Sequence, residues 1–382
     1  MLNSFITILH FFLVTFLAAQ QTIRIKVDSL PQSSRQYDLY IAGSFNNWNP
    51  GNNQYKFQHT DNDKFYIDLK LPAGTYEYKI TRGSWKEVEC SAGGADIANR
   101  ILKVSDDETI VNKIEGWKDN FQGELIKHTA SPHVIIIDTA FRMPQLNRTR
   151  RVWIYLPEGY ANSPTKNRFP VLYIHDGQNV FDVATSFAGE WGVDEFLDTT
   201  KARTCIVVAI DNGGSKRLNE YCPYDFTLSG ISSASGTNKG EGNLYVDFLV
   251  KTLKPFIDKN YRTLKDKSNT FVAGSSMGGL ISLYAVLKYP NVFGGAGVFS
   301  PAFWVGPKIF DDIKAKGKKV NSNIYFYAGK QESESMVPDM LKAFDGMNKV
   351  SKSKMMTVIR DDGKHNEPTW RKEFPLFYQW IL

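Results

Sequence analysis

The sequence predicts two units in series: a small β-sandwich of the early-set, immunoglobulin-like kind, then a larger α/β unit on a mostly parallel sheet. Three observations carry this. The chain has 382 residues, too many for one average domain and comfortable for two, since domains usually run to roughly 100–200 residues. Between residues 22 and 111 short β-type runs are broken by Gly, Asn, Asp and Pro. Beyond residue 123, apolar runs alternate with stretches of helical spacing, the pattern of a parallel sheet with helices on both faces.

The first twenty residues stand apart. Residues 5–17 are mostly Phe, Leu, Ile and Val and are followed by Ala18-Ala19-Gln20-Gln21, an apolar core with small residues where a signal peptidase would cut. This predicts a signal peptide over 1–20 and a secreted or periplasmic protein. No Lys or Arg precedes the apolar run, which leaves an uncleaved membrane anchor as the alternative. No later apolar run approaches membrane-spanning length, so no membrane contact is expected of the mature chain.

Over 21–116, strands are expected at 23–27, 37–41, 65–69, 76–80 and 101–104, short and punctuated as in a sandwich. A mostly polar stretch, 112–123, separates them from the unit at 123–382. There, residues 134–137, 151–155, 171–174, 205–210, 270–273, 295–299, 324–327 and 356–359 read as strands, mostly continuous apolar runs suited to burial on both faces. Residues 245–258, 277–288, 336–348 and 370–382 carry helical spacing.

With 42% hydrophobic and 23% charged residues the composition is that of an ordinary globular protein, which excludes disorder as the main state. A net charge of +6 from 46 basic and 40 acidic residues is small at this length. No run of Lys and Arg interleaved with aromatics would track a phosphate backbone, so nucleic acid is not an expected partner. Three cysteines, Cys90, Cys205 and Cys222, are too few and scattered for a disulfide scaffold or a zinc site. A Cys205–Cys222 bridge stays open for an oxidising compartment. The sequence does not fix the oligomeric state.

Chemistry is concentrated at Gly274-Ser275-Ser276-Met277-Gly278, which follows the run 270–273 and opens the helix at 277. Strand, tight turn and helix make a nucleophile elbow of α/β-hydrolase type: flanking glycines allow the sharp bend, and the Ser276 hydroxyl is aimed off the sheet. The helix N-terminus favours developing negative charge. A serine needs a base. In the chain order Ser, acid, His, the base must follow Ser276, and of six histidines only His365 does, in the polar loop 360–367. The acid that orients it belongs past the penultimate strand, where Glu332 sits in the turn after 324–327. Glu334, Asp361 and Asp362 compete for that role. The oxyanion requires two backbone donors, one from Met277 and one from the loop His175-Asp176-Gly177-Gln178-Asn179, with Gln178 the first choice and Gly177 the alternative. His175 precedes the serine and reads as a loop-holding residue.

Those residues, together with Arg217-Leu218-Asn219-Glu220-Tyr221, the stretch 254–263 and Ser300-Pro301-Ala302-Phe303-Trp304, resemble the putative-esterase family of feruloyl and acetyl-xylan esterases, siderophore esterases and mycolyl transferases. The likeness covers roughly 123–382. It implies a triad of Ser276, Glu332 and His365 without metal or other cofactor. It also makes Asp176, Arg217, Glu220, Tyr221 and Trp304 candidates for substrate contact, with an ion-paired loop clamp as the competing reading for Arg217, Glu220 and Tyr221. Trp304 and Trp370 could line an aromatic acyl pocket or pack in a core. The N-terminal segments 42–49 and 76–80 are similar to glycogen-binding β-sandwich modules, which implies a sugar platform of Trp48, Lys79 and Trp85, or else a module that braces the catalytic unit. The expected partner is thus an ester, in particular a feruloyl or acetyl ester of a polysaccharide. A siderophore or other small ester, acyl transfer, and a non-catalytic glycan-binding protein are the alternatives.

Overall fold

The computed structural model describes residues 20–31, 37–60, 64–121, 128–161, 166–227 and 237–382. The apolar leader lies outside these residues. Among the described residues no helix is long and apolar enough to cross a membrane.

The first unit holds β1 (Gln20–Ser29), β2 (Tyr40–Gly43), β3 (Gln58–His59), β4 (Phe65–Pro72), β5 (Gly74–Thr81), β6 (Glu89–Cys90), β7 (Arg100–Val104), β8 (Glu108–Lys113) and β9 (Gly116–Trp117). Ile23, Ile25 and Val27 of β1 alternate inward while Arg24 and Lys26 stay at the surface, the period-2 signature of a strand with one buried face. A sheet ordered β3-β4-β1-β8 and a second ordered β2-β5-β7 enclose one core that includes Ile25, Phe45, Tyr78, Ile80 and Trp117. The strand β8, which pairs in parallel with β1, is not among the expected strands, since Ile110 and Val111 are its only apolar residues. Its one buried residue is Asn112, satisfied by the Tyr78 hydroxyl and the Lys26 carbonyl.

The second unit is an eight-stranded sheet of β10 (Val134–Met143), β11 (Arg148–Tyr155), β12 (Val171–His175), β13 (Ile206–Ile210), β14 (Thr270–Ser275), β15 (Gly295–Phe299), β16 (Asn323–Gly329) and β17 (Lys354–Arg360), ordered β10-β11-β13-β12-β14-β15-β16-β17. The pairs β10·β11 and β11·β13 are antiparallel and the remaining neighbours run parallel. Every residue of β12, β13, β14 and β15 is buried, which is why they read as unbroken apolar runs. The helices are α1 (Val193–Thr199), α2 (Arg217–Tyr221), α3 (Gly242–Phe248), α4 (Lys254–Asn260), α5 (Met277–Lys288), α6 (Ile309–Lys316), α7 (Met336–Val350) and α8 (Glu367–Ile381). Residues of α3 to α7 pack on one face of the sheet, and those of α1 and α8 on the other.

Short α1, α2 and α6 escape a periodicity reading because five to eight residues show too few turns for a 3.6 repeat to register. The single helix expected at 245–258 is three pieces, α3 and α4 joined by a π turn at Leu249–Leu253. Pro255 explains the break, since it offers no N–H to the Lys251 carbonyl and its ring would collide with it. Cys205 and Cys222 are free and buried. They belong to cores on opposite faces of the sheet, so the bridge left open above does not form.

Candidate active site

Chain order reverses at β12, which has β13 on one side and β14 on the other. At such a switch point the two following loops leave in opposite directions and open a crevice beyond the carboxyl ends of the strands. The loop after β12 and the elbow after β14 occupy that crevice.

Ser276 has φ 58° and ψ −119°, a backbone conformation that costs a non-glycine residue about 1–3 kcal/mol. Its own bonds hold it there. The Ser276 N–H donates to the Phe299 carbonyl at 2.9 Å, and its carbonyl accepts from Gly279 N and Ala302 N, both at 3.0 Å. A Cβ on Gly279 would lie 2.8 Å from the Phe299 carbonyl oxygen, so the close approach of α5 to β15 requires glycine. Met277 is the first residue of α5, and its N–H is among those that an α-helix leaves without an internal partner.

Beside it, β16 ends at Gly329 and the chain turns through Glu332, whose side chain is completely buried. Glu332 Oε2 meets His365 Nδ1 at 2.6 Å. Its Oε1 accepts from Gly329 N at 2.6 Å and from Ser300 Oγ at 2.8 Å, and Ser300 Oγ accepts in turn from Trp370 Nε1 at 2.9 Å. Both carboxylate oxygens are thereby engaged, which fixes the imidazole and leaves Nε2 as its free nitrogen. The ring also packs edge-to-face on Trp370, with centres 5.1 Å apart. Burial works against charge on His365, but the hydrogen bond and negative charge of Glu332 outweigh it, with smaller help from Glu77 and Glu367, and hold its pKa above the ordinary histidine value.

His175, at the end of β12, bonds through Nδ1 to the Tyr245 hydroxyl at 2.9 Å, and burial pushes its pKa down to about 4. It holds the loop. Asp176 follows in the left-handed region and forms two parallel bonds with Arg217, at 2.6 and 2.8 Å. Asn212 adds a third at 2.7 Å. Burial resists the charge on Asp176, but Arg217 outweighs it and lowers the pKa. A Cβ on Gly278 would lie 3.4 Å from Asp176 Oδ2, which places this ion pair against the first turn of α5. Gln178 is the second residue of the one-turn helix Gly177–Asn179, so its N–H is left over at a helix start just as that of Met277 is.

Three expected contacts are corrected. Glu220 is fully buried beneath Arg148 and Arg150 and clamps α2 to β11. Tyr221 is fully buried, its hydroxyl accepting from Asp176 N at 3.2 Å, so it supports the loop from below. Lys79 is 4% exposed with its ammonium bonded to the Ile97 carbonyl, and so is withdrawn from any surface platform. Trp304 is half exposed, whereas Trp370 lies in the core of the α1 and α8 face. Trp48 and Trp85 are partly exposed neighbours, 6.3 Å between ring centres. Residues that the sequence reading passed over are Ser300, quoted in a motif without a role, and Asn179, Phe187 and Glu367. Asn179 Nδ2 donates to Glu367 Oε1 at 2.9 Å. No group of metal-ligating side chains occurs among the described residues.

Residues 143–378 match the protein-family model described as Putative esterase, more than half of the chain. The chain belongs to this esterase family. Residues 39–115 of the esterase match the pullulanase X25 domain. It is 26% identical over 223 residues to the endo-1,4-β-xylanase/feruloyl esterase of Xylanibacter ruminicola, covering 57% of this chain and 27% of that protein. Over 83 residues it is 41% identical to the α-amylase of Niallia circulans, 21% of this chain and 6% of the amylase. The enterobactin esterase of Shigella flexneri has a similar fold over 94% of this chain and 92% of its own, with a TM-score of 0.51 at 16% identity.

Proposed function

We propose that the esterase is a secreted serine carboxylic-ester hydrolase that deacylates feruloyl or acetyl esters of a polysaccharide, with a leader at 1–20, a carbohydrate-directed sandwich at 21–116 and a catalytic unit at 123–382. The observation that carries the catalytic part is the grip of Glu332 on His365 Nδ1 beyond the same sheet edge as the strained Ser276 elbow. In this reading His365 Nε2 takes the hydroxyl proton as Ser276 Oγ attacks the ester carbonyl. The oxyanion accepts from the N–H groups of Met277 and Gln178. Collapse expels the alcohol, protonated by His365, and leaves an acyl-serine that water hydrolyses by the same steps.

The charges around the site favour a neutral glycan ester over a polyanionic siderophore. Glu332, Glu77 and Glu367 act on His365, and the nearby cation Arg217 is engaged by Asp176. Among the relatives, one is named a feruloyl esterase and another an α-amylase, while others are named a ferri-bacillibactin esterase and a siderophore triacetylfusarinine C esterase, so the names leave both substrates open and the charges carry the preference. The test is Ser276→Ala against wild type on methyl ferulate, p-nitrophenyl acetate, acetylated xylan and a ferric catecholate ester. A loss of roughly 10³-fold or more in kcat is expected. Retained activity removes Ser276 from the chemistry, and a wild-type preference for the catecholate transfers the reading to siderophores.

A further inference from the structure

We propose that Trp85 of the sandwich and Phe187 of the α/β unit form a shared aromatic clamp for the sugar that carries the ester, so that the sandwich supplies one wall of the catalytic site. This rests on the polysaccharide-ester reading above.

The two rings come from different units and meet edge-to-face with centres 4.9 Å apart. Phe187 keeps 42% of its surface exposed and Trp85 is partly open, so the contact leaves aromatic area for a ligand. Trp48 extends the aromatic surface, and it does so at a conformational cost. Asn47 and Trp48 both have positive φ, 57° and 55°, a region where bulky residues are outliers. The turn is held there by Trp48 N and Asn46 N, each donating 3.0 Å to the Gly43 carbonyl, and by the Asn46 side chain, which bonds Gly43 N and the Ile41 carbonyl. Strain maintained by a dedicated hydrogen-bond network is a mark of function.

Phe187 is also tied to the reacting residues. Its N–H donates to Asn179 Oδ1 at 3.0 Å, and Asn179 Nδ2 donates to Glu367 Oε1 at 2.9 Å. Asn179 closes the turn that carries Gln178, and Glu367 lies two residues beyond His365. On the sandwich side Glu77, steadied by Asn99 Nδ2 at 3.0 Å, has its charge within reach of His365. The rings and the triad therefore border one region. The apolar C–H face of a pyranose suits the negative face of an aromatic ring, and a small aryl or methyl ester carries no such ring. Binding energy from this remote contact would raise turnover of glycan esters selectively.

The experiment compares kcat/KM on acetylated xylan with kcat/KM on p-nitrophenyl acetate for wild type, Phe187→Ala, Trp85→Ala and the ring-keeping Phe187→Tyr and Trp85→Phe. The expected result is an about tenfold or larger fall in the xylan-to-small-ester ratio for both alanine variants, with the ring-keeping variants within about twofold of wild type. An unchanged ratio in the alanine variants overturns the clamp while wild-type activity on xylan keeps the polysaccharide reading. An equal fall in the ring-keeping variants also overturns it and makes the junction a brace. Wild type that cleaves only the small ester sinks both ideas together.

Discussion

At the scale of single residues, the proposed role of His365 as general base fixes the expected pH response. A general base must be neutral to accept a proton, and three carboxylates stabilise its charged form. Activity should therefore rise with pH through a His365 pKa that lies above the ordinary value. Glu77 is the one of the three that neither grips the ring nor sits in its loop. In Glu77→Gln the imidazolium loses support and its pKa falls, so the acidic limb of kcat/KM on a small ester should move to lower pH. A limb that stays in place would show that the sandwich charge does not reach the base. Ser300 shows how a role can hide in a motif: a serine beside proline gives no hint that its hydroxyl will pass a Trp370 bond on to Glu332.

At the scale of elements, the start of α8 holds a second titration. Glu367 is the first residue of this helix, where the helix dipole favours a carboxylate, yet burial dominates and pushes its pKa up to about 7. Because the folded pKa exceeds the unfolded one, the folded chain holds this proton where the unfolded chain has released it. Its effect on stability is therefore neutral below about pH 4.5 and grows steadily more unfavourable up to about pH 7, reaching at most roughly 3 kcal/mol. Glu367→Gln keeps the oxygen that Asn179 bonds and removes the titration. Urea midpoints should match wild type at pH 4 and exceed it at pH 8, and parallel profiles at the two pH values would discard this account. The short helix α2 shows how a motif divides. Arg217 and Tyr221, one turn apart, serve the Asp176 loop, while Glu220 faces Arg148 and Arg150.

At the scale of the whole molecule, the sheet separates what lies on its two faces. Cys205 and Cys222 are 17 residues apart in the chain but sit in different cores. The melting temperature should accordingly be the same with and without a thiol reductant, and a drop on reduction would reveal a bridge that the fold does not make. The same sheet brings together residues that the chain keeps apart: Ser276, Glu332 and His365 follow β14, β16 and β17, all parallel, so all their loops leave from one edge.

The sequence by itself determined the α/β class and the elbow, and it nominated His365 as the base of the proposed triad. Buried parallel strands leave apolar runs, a sharp turn needs glycine, and chain order admitted one downstream histidine. It could not show which carboxylate grips that histidine, since Glu332, Glu334, Asp361 and Asp362 have equivalent chemistry and differ only in what surrounds them. Nor could it separate surface from interior for Glu220, Tyr221 and Lys79, whose side chains suit either. Tertiary structure decided these by distance and burial: Glu332 Oε2 lies 2.6 Å from Nδ1, while Asp361 lies at the surface beside Lys330. The junction of Trp85 with Phe187 was beyond any local pattern. Two rings 102 residues apart in the chain meet only because two separately folded units pack against each other.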